Sequence, residues 1–249
     1  RNSSGCMRQR DARLPPPSSR GSERPDPDGA YLCPMATRTT RPRGLDYDPD
    51  LACSHLRIAE PRLDELISRA GAFTLRPVPT QSMFAALAEA IVYQQLSGSA
   101  AATILGRVVA LYHPRRFPAP DDVLETPPER LRGAGLSGAK TAALRDLAAR
   151  TLDGTVPPMS LARRMDDDAL IERLTVVRGI GRWTVEMLLM FRLGRPDVLP
   201  VGDLGVRKGY ARTFRTRGLP APEAMRRRAE RWRPYRSVAS WYLWRALEL

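Results

Sequence analysis

The chain has 249 residues, enough for one large domain or two small ones, and its 43% hydrophobic content suffices to bury a core. Forty basic against 27 acidic residues give a formal charge of +13, which indicates a polyanionic partner, nucleic acid first. The three cysteines lack metal-ligand spacing, and no apolar run reaches the roughly 18 residues of a membrane helix. We therefore expect a cytoplasmic protein with no disulfide framework and no membrane span.

The first part of the chain differs in composition from the rest. Residues 1–44 are rich in Arg, Pro, Ser and Gly and show almost no apolar periodicity, which predicts a disordered tail. Nine arginines and four acidic residues lie there, so five of the thirteen net positive charges belong to the tail and eight to the remainder. The basic character is therefore not confined to the tail.

From residue 45 onward the pattern is helical, because apolar residues recur every three or four positions and no segment alternates as a strand would. Breaks rich in Gly and Pro separate the segments. We predict an all-α domain over 45–249. Its predicted helices cover residues 64–69, 82–95, 99–112, 121–125, 128–132, 137–152, 166–176, 182–193, 204–215, 222–232 and 235–247.

A turn with two glycines joins the helical patterns before and after residue 180. Gly179 and Gly181 permit positive φ and a close approach of the backbone to a phosphate, while the next helix N-terminus directs amides and a positive dipole end toward it. Ile180 would fill the space between the two helices. A Gly-x-Gly between helices is by itself more often a simple tight turn, so a phosphate site depends on the wider pattern.

The segment after this hairpin, residues 193–204, reads Leu-Gly-Arg-Pro-Asp-Val-Leu-Pro-Val-Gly-Asp-Leu, and its Asp203 stands 20 positions after Trp183. The stretch 174–203 resembles the HhH-GPD superfamily of DNA glycosylases, in which a helix-hairpin-helix precedes a Gly/Pro-rich segment and an aspartate. The resemblance implies that Asp203 is the catalytic carboxylate. An Asp before a helical run is also a good N-cap, and the two roles can coexist.

Two further blocks, residues 94–97 (Gln-Gln-Leu-Ser) and 231–237 (Arg-Trp-Arg-Pro-Tyr-Arg-Ser), resemble the AlkA-like 3-methyladenine DNA glycosylase II family. This resemblance implies two helical subdomains facing each other across a cleft, one formed by 45–81 with 204–249 and the other by 82–203. Relatives with lyase activity carry a nucleophilic lysine where Trp183 stands, and others carry a four-cysteine iron–sulfur cluster. The resemblance therefore implies a monofunctional enzyme that has no such cluster and uses water to hydrolyse N-glycosyl bonds in base excision repair.

The resemblance also assigns individual roles. A wedge enters double-stranded DNA from the minor-groove side, a pocket receives the flipped base, and the hairpin binds phosphate. Carbonyls of Val177 and Ile180 are expected to hold a monovalent cation, Na⁺ or K⁺. The assigned residues are Leu96 and Gln95 for the wedge; Trp183, Trp244, Met187 and Leu204 for the pocket; and Gly179, Ile180, Gly181, Arg182 and Thr184 for the phosphate site.

Several alternatives stay open. Leu96 and Trp244 could each be ordinary core residues. Met187 and Leu204 stand where relatives can carry aromatic side chains, so deaminated or oxidised bases compete with alkylated bases as the substrate. A non-catalytic DNA-binding module could use the same hairpin, although Asp203 argues against it, and RNA binding rests on charge alone. We expect a monomer that is associated with the nucleoid if the source is bacterial.

Overall fold

The computed structural model describes residues 44–115 and 117–249 of the chain, so the predicted tail lies outside the described residues except for Gly44. Within these two ranges the chain contains only helical elements and no strand, which confirms the all-α prediction. None of the helices found there is both long enough and apolar enough to cross a bilayer.

The described ranges form thirteen α-helices and one 3-10 turn. In chain order these are α1 Pro49–Ala59, α2 Pro61–Ala70, α3 Met83–Tyr93, α4 Gly98–Ala110, α5 Pro120–Glu125, α6 Pro128–Gly133, α7 Gly138–Leu152, α8 Met159–Ala162, α9 Asp167–Thr175, α10 Arg182–Phe191, α11 Leu204–Phe214, α12 Pro222–Ala229, the 3-10 turn Glu230–Trp232, and α13 Arg236–Arg245.

Polar caps decide where several helices begin. The hydroxyl groups of Ser82, Ser97 and Ser137 accept hydrogen bonds from the backbone amides three residues later, at 3.0, 3.4 and 3.2 Å, and start α3, α4 and α7. Helix α1, which the sequence pattern missed, begins in the same way. Asp48 accepts from the amide of residue 50 at 2.9 Å, and Pro49 takes the first helical position.

The buried side chains form two hydrophobic clusters. The first lies between residues 83 and 198, and the second combines residues 52–75 with 199–246. We predicted the change of subdomain between Asp203 and Leu204. Leu199 and Val201 are buried in the second cluster, so the chain passes between the cores near residue 198 instead. Leu199 and Val201, on either side of Pro200, pack into the second core before α11 begins, whereas Val198 packs into the first.

The two cores meet around two aromatic rings and one close helix contact. Phe191 and Trp244 are half-buried and pack against both clusters, with ring centroids 5.7 Å apart and an interplanar angle of 29°. Helices α11 and α13 approach closely at Gly209, which has no side chain. A β-carbon at this position would lie 1.8 Å from the carbonyl oxygen of Leu243. This contact fixes α13, which carries Trp244, against α11, which starts after Asp203.

Candidate active site

Asp203 lies at the N-terminus of α11, where its half-buried carboxylate accepts three hydrogen bonds. Oδ1 accepts from the backbone amide of Val206 at 2.7 Å and from Nε1 of Trp244 at 2.8 Å. Oδ2 accepts from Nε1 of Trp183 at 2.7 Å. The bond to Val206 is the N-cap contact that the sequence suggested, and the indole bonds add donors from α10 and α13. Together they fix the orientation of the carboxylate.

Both tryptophans of the predicted base pocket therefore stand beside Asp203, but with a function that the sequence pattern did not show. Their N–H groups contact the carboxylate, and the ring of Trp244 stacks on Phe191. Room for this arrangement comes from Gly205, because a β-carbon there would lie only 2.8 Å from Cδ1 of Trp244. Stacking of either ring on a flipped base remains a prediction.

The other two predicted pocket residues lie on α10 and at the start of α11. Met187 is half-buried one turn after Trp183 on α10, and Leu204, 41% exposed, follows Asp203 directly. Phe191 occupies the next turn of α10 and was not predicted. Phe191 follows Met187 by four residues and Trp183 by eight, so the three side chains lie on one face of α10. This spacing could have identified Phe191 from the sequence.

Glu186 is a second carboxyl group near the site that the sequence reading missed. Its side chain is 4% exposed, and its Oε1 accepts from Nε of Arg182 at 3.0 Å. Burial raises the pKa of Glu186, the hydrogen bond and charge of Arg182 oppose this shift, and the negative charge of Asp203 adds a smaller increase. An acidic residue on the buried face of α10 was the available signal.

The hairpin between α9 and α10 uses positive φ at one of its two glycines only, because Gly181 has an extended backbone with a φ of −95°. Gly179 adopts a φ of 78°, and a β-carbon there would lie 3.3 Å from the side chain of Ala143 on α7. Ile180 is buried in the first core, as its expected place between the helices requires. Gly181 is the N-cap of α10, and no side chain within the described ranges caps this helix. Thr184, also assigned to the phosphate site, is 7% exposed.

Arg182, predicted to contact phosphate, is held by two acidic side chains. Besides Glu186, the carboxylate of Asp168 accepts from its guanidinium at 3.2 Å, while 57% of the Arg182 side chain stays exposed. The hairpin itself is anchored from α7, because Oδ2 of Asp146 accepts from the amide of Arg178 at 2.7 Å.

Within residues 44–115 and 117–249, no group of three or more His, Cys, Asp or Glu side chains could hold a metal ion.

The predicted wedge lies in the loop between α3 and α4. Gln95 adopts a φ of 56°, in the left-handed region that residues other than glycine rarely enter, and is exposed. Leu96 is 36% exposed, so the alternative that it belongs to the core is wrong. The side-chain amide of Gln94 donates to the carbonyl of Gly179 at 2.9 Å, which places this loop directly against the hairpin.

The helices and loops that carry this site match a known family. Residues 88–234 match the HhH-GPD superfamily of base excision DNA repair proteins. The chain belongs to this superfamily. DNA-3-methyladenine glycosylase 1 of Schizosaccharomyces pombe is 37% identical over 174 residues, which cover 70% of this chain and 76% of that protein.

Two solved HhH-GPD relatives share the fold closely. The 3-methyladenine DNA glycosylase of Schizosaccharomyces pombe, in complex with abasic DNA, superposes with a TM-score of 0.71 at 34% identity, covering 80% of this chain and 97% of that chain. A DNA-3-methyladenine glycosidase from Bacillus halodurans gives a TM-score of 0.72 at 33% identity, with coverages of 78% and 88%.

The HhH-GPD match includes most of the candidate site. It contains the wedge loop, the hairpin and Asp203, whereas Trp244 lies beyond its last residue. The indole of Trp244 is therefore joined to the family core by its bond to Asp203 and by the packing of α13 on α11.

Proposed function

We propose that this chain is a monofunctional DNA glycosylase that acts as a monomer on double-stranded DNA. It removes alkylated bases of the 3-methyladenine type by hydrolysing the N-glycosidic bond and leaves an abasic site. The family and the names of the relatives support the reaction class. The observation that carries the mechanism is the carboxylate of Asp203, fixed by three N–H donors from α10, α11 and α13.

The chemistry follows from the charge that develops as the bond breaks. Departure of the base leaves positive charge on the sugar, and a carboxylate held in place stabilises that charge without reorganising. Asp203 also positions the attacking water or takes its proton. An alkylated purine is already cationic and leaves readily, so a single acidic group suffices. Trp183 offers no amine for a Schiff base, so the strand stays intact.

The target base must leave the stack, at a cost of about a few kcal/mol that is smaller at damaged or mismatched pairs. Leu96 enters from the minor-groove side and fills the gap, and Gln95 contacts the opposite strand. The flipped base then lies against the rings of Trp183 and Trp244, which favour electron-poor bases. Met187 and Leu204 complete the pocket.

The hairpin holds the phosphate beside the flipped nucleotide. Helix α10 starts at Gly181 without a side-chain cap, and the backbone around Gly179 to Thr184 offers amides at the positive end of the helix dipole. The main chain supplies these contacts, and the side chains of Ile180 and Thr184 are buried. Arg182 adds a weaker contribution because two carboxylates already share its guanidinium.

A monovalent cation completes this phosphate site in our proposal, bound by the carbonyls of Val177 and Ile180. The carbonyl of Val177 accepts one hydrogen bond, from the amide of Ile180 at 3.0 Å, and so keeps a second lone pair for a cation. Replacing K⁺ and Na⁺ by tetramethylammonium at constant ionic strength should weaken binding of an abasic-site duplex by about tenfold, since one charge-assisted contact contributes about 1.5 kcal/mol or more. Unchanged affinity in fluorescence anisotropy would contradict the cation site.

The central test is Asp203→Asn. We expect release of 3-methyladenine from methylated duplex DNA to fall by about a hundredfold or more, because Asn lacks the charge that stabilises the transition state, while DNA affinity stays nearly intact. Free base is measured by chromatography, and strand breaks are scored with and without alkali. Breaks that need alkali are expected of a glycosylase without lyase activity.

The matched control is Asp168→Asn, which removes an exposed carboxylate near the hairpin. It should leave base release within about twofold, as surface changes generally do. An Asp203→Asn variant as active as the native protein would end the proposed mechanism. Release of deaminated or oxidised bases in place of 3-methyladenine would keep the reaction and change the substrate.

A further inference from the structure

We propose that Lys140 is a positioning residue for the DNA wedge. Together with the side chain of Gln94, its ammonium group holds the loop 94–97 in place beside the hairpin, so that Leu96 is ready for insertion before DNA arrives. This inference rests on the proposed function, because it concerns the same wedge. It goes beyond that function by assigning a role to a residue that contacts neither the base nor the phosphate.

The ammonium group of Lys140 reaches the loop that carries the wedge. Its Nζ donates to the carbonyl of Val92 and to the carbonyl of Gln94, both at 2.7 Å. These carbonyls lie at the C-terminal end of α3, where helix carbonyls lack partners and the dipole is negative. Burial lowers the pKa of Lys140. The two carbonyls serve as acceptors for its ammonium group.

The position of Lys140 in its own helix gives no reason for a cation. It lies in the first turn of α7, where a positive charge opposes the helix dipole. The hydroxyl of Ser137 already caps that turn through the amide of Lys140. The contact that accounts for a lysine here is therefore the distant one, to a chain segment 46 and 48 residues earlier.

The loop 94–97 is also held by the hairpin. While Lys140 binds the backbone of Gln94, the side chain of Gln94 donates to the carbonyl of Gly179 at 2.9 Å. The next residue, Gln95, keeps a φ of 56°, a conformation that persists where the surrounding chain determines it. The hydroxyl of Ser97 then caps α4. Leu96 thus protrudes between two anchored ends.

These anchors matter because insertion must occur while the hairpin holds the phosphate. A loop that is ordered only on binding costs conformational entropy at that moment, whereas a loop already fixed does not. The Gln94–Gly179 bond sets the wedge at a constant distance from the hairpin. Loss of Lys140 should therefore weaken complexes that need an inserted side chain and leave general electrostatic binding unchanged.

The experiment compares Lys140→Met with Arg145→Met. Arg145 lies on the same helix and makes the same kind of contact, donating to three carbonyls at the end of α5 at 2.9 to 3.1 Å, away from the wedge. Each full-length variant is titrated by fluorescence anisotropy against a duplex with a tetrahydrofuran abasic-site analogue and against the undamaged duplex.

We expect Lys140→Met to bind the abasic-site duplex about tenfold more weakly and the undamaged duplex less than about twofold more weakly, since only the first complex uses the wedge. Arg145→Met should leave the preference between the two duplexes unchanged. Lys140→Arg should restore at least half of the preference, because a guanidinium can also reach two carbonyls. Equal weakening on both duplexes, or an unchanged preference, would overturn the role of Lys140.

Gln94→Leu provides an independent variant, since it breaks the link to Gly179 and keeps Lys140. If thermal unfolding shows that Lys140→Met does not fold, Gln94→Leu tests whether the anchored loop determines the duplex preference. A loss of preference of about threefold is expected, and none would overturn the proposal. A native protein that prefers the abasic-site duplex but releases no base refutes the proposed reaction alone. One that releases base while Lys140→Met and Gln94→Leu keep the native preference refutes this inference alone. One that neither prefers the abasic-site duplex nor releases base refutes both.

Discussion

At the carboxylate of Asp203, the two oxygens are supported unequally. Oδ1 accepts from the amide of Val206 and from Trp244, whereas Oδ2 accepts from Trp183. Since a carboxylate oxygen has room for two acceptor contacts, Oδ2 is the atom with capacity left for a water molecule or for the sugar. Trp183 is then the side chain that aims this oxygen, and it does so through its N–H group.

Trp183→Phe separates this role from stacking, because phenylalanine keeps a ring and lacks the donor. We expect the single-turnover rate of base release to fall about tenfold, which corresponds to about 1.4 kcal/mol in the activation barrier, with little change in DNA affinity. Trp244→Phe should cost less, since Oδ1 retains the amide of Val206. If Trp183→Phe works at the native rate, the ring face alone accounts for the residue.

Which site residues could be predicted depended on how far along the chain their partners lie. Asp203 and the hairpin glycines belong to one continuous stretch, so the resemblance of that stretch to the HhH-GPD superfamily was enough to indicate them. Lys140 and Glu186 did not stand out, because the carbonyls that Lys140 binds lie 46 and 48 residues earlier and the burial of Glu186 depends on the packing of α10. A local pattern contains neither kind of information.

At the scale of the helices, the ends were predictable where a cap marks them and the helix is long. Ser82 and Ser137 start helices as expected, and the hairpin helices were found within a few residues. Helix α1 was missed although Asp48 and Pro49 form an N-terminal signature, because its face has only Ala52 and Leu56 fully buried. Helix α8, four residues long, offers too few positions for periodicity.

The closest helix contact gives the next prediction. A β-carbon on Gly209 would overlap the carbonyl oxygen of Leu243, so Gly209→Ala must separate α11 from α13. We expect a loss of about 3 kcal/mol in unfolding free energy, the upper range for overpacking, measured by urea denaturation. Gly106→Ala is the matched control, because Gly106 is exposed within α4 and a β-carbon there would have no neighbour within 4 Å.

The control should gain up to about 1 kcal/mol from the helix propensity of alanine. A Gly209→Ala protein as stable as the native one would show that the helices can shift apart without cost. Base release from the variant adds a second measure. Its rate should fall as well, because α13 carries the Trp244 donor and α11 the carboxylate.

For the whole molecule, composition and periodicity predicted the helical class and a nucleic-acid partner, but not how the chain divides between its cores. The segment between α10 and α11 forms no helix, and only packing decides which core takes Leu199 and Val201. The two clusters share Phe191 and Trp244, so the boundary between them is itself a packed contact. Such a boundary cannot be found from a change in composition.

The placement of Asp203 at this boundary predicts its effect on stability. Asp203→Ala leaves the donors of Trp183, Trp244 and Val206 without their acceptor, and should cost about 2 kcal/mol in unfolding free energy. Asp203→Asn keeps one oxygen for Val206 and Trp244 but turns its amide N–H donors toward the N–H of Trp183, so it should cost less than Asp203→Ala without being neutral. Thermal and urea unfolding of the two variants decide the point, and a stabilised Asp203→Ala protein would contradict it.

The three bonds on one carboxylate have a mechanical meaning as well. The Trp183 donor belongs to a helix of the first core and the Trp244 donor to a helix of the second, so any rotation of one core against the other must stretch or bend at least one of these bonds. The carboxylate to which we assign the chemistry therefore also links the two hydrophobic clusters. A small change in the angle between the two clusters would therefore be transmitted directly to Asp203 through its bonds to Trp183 and Trp244.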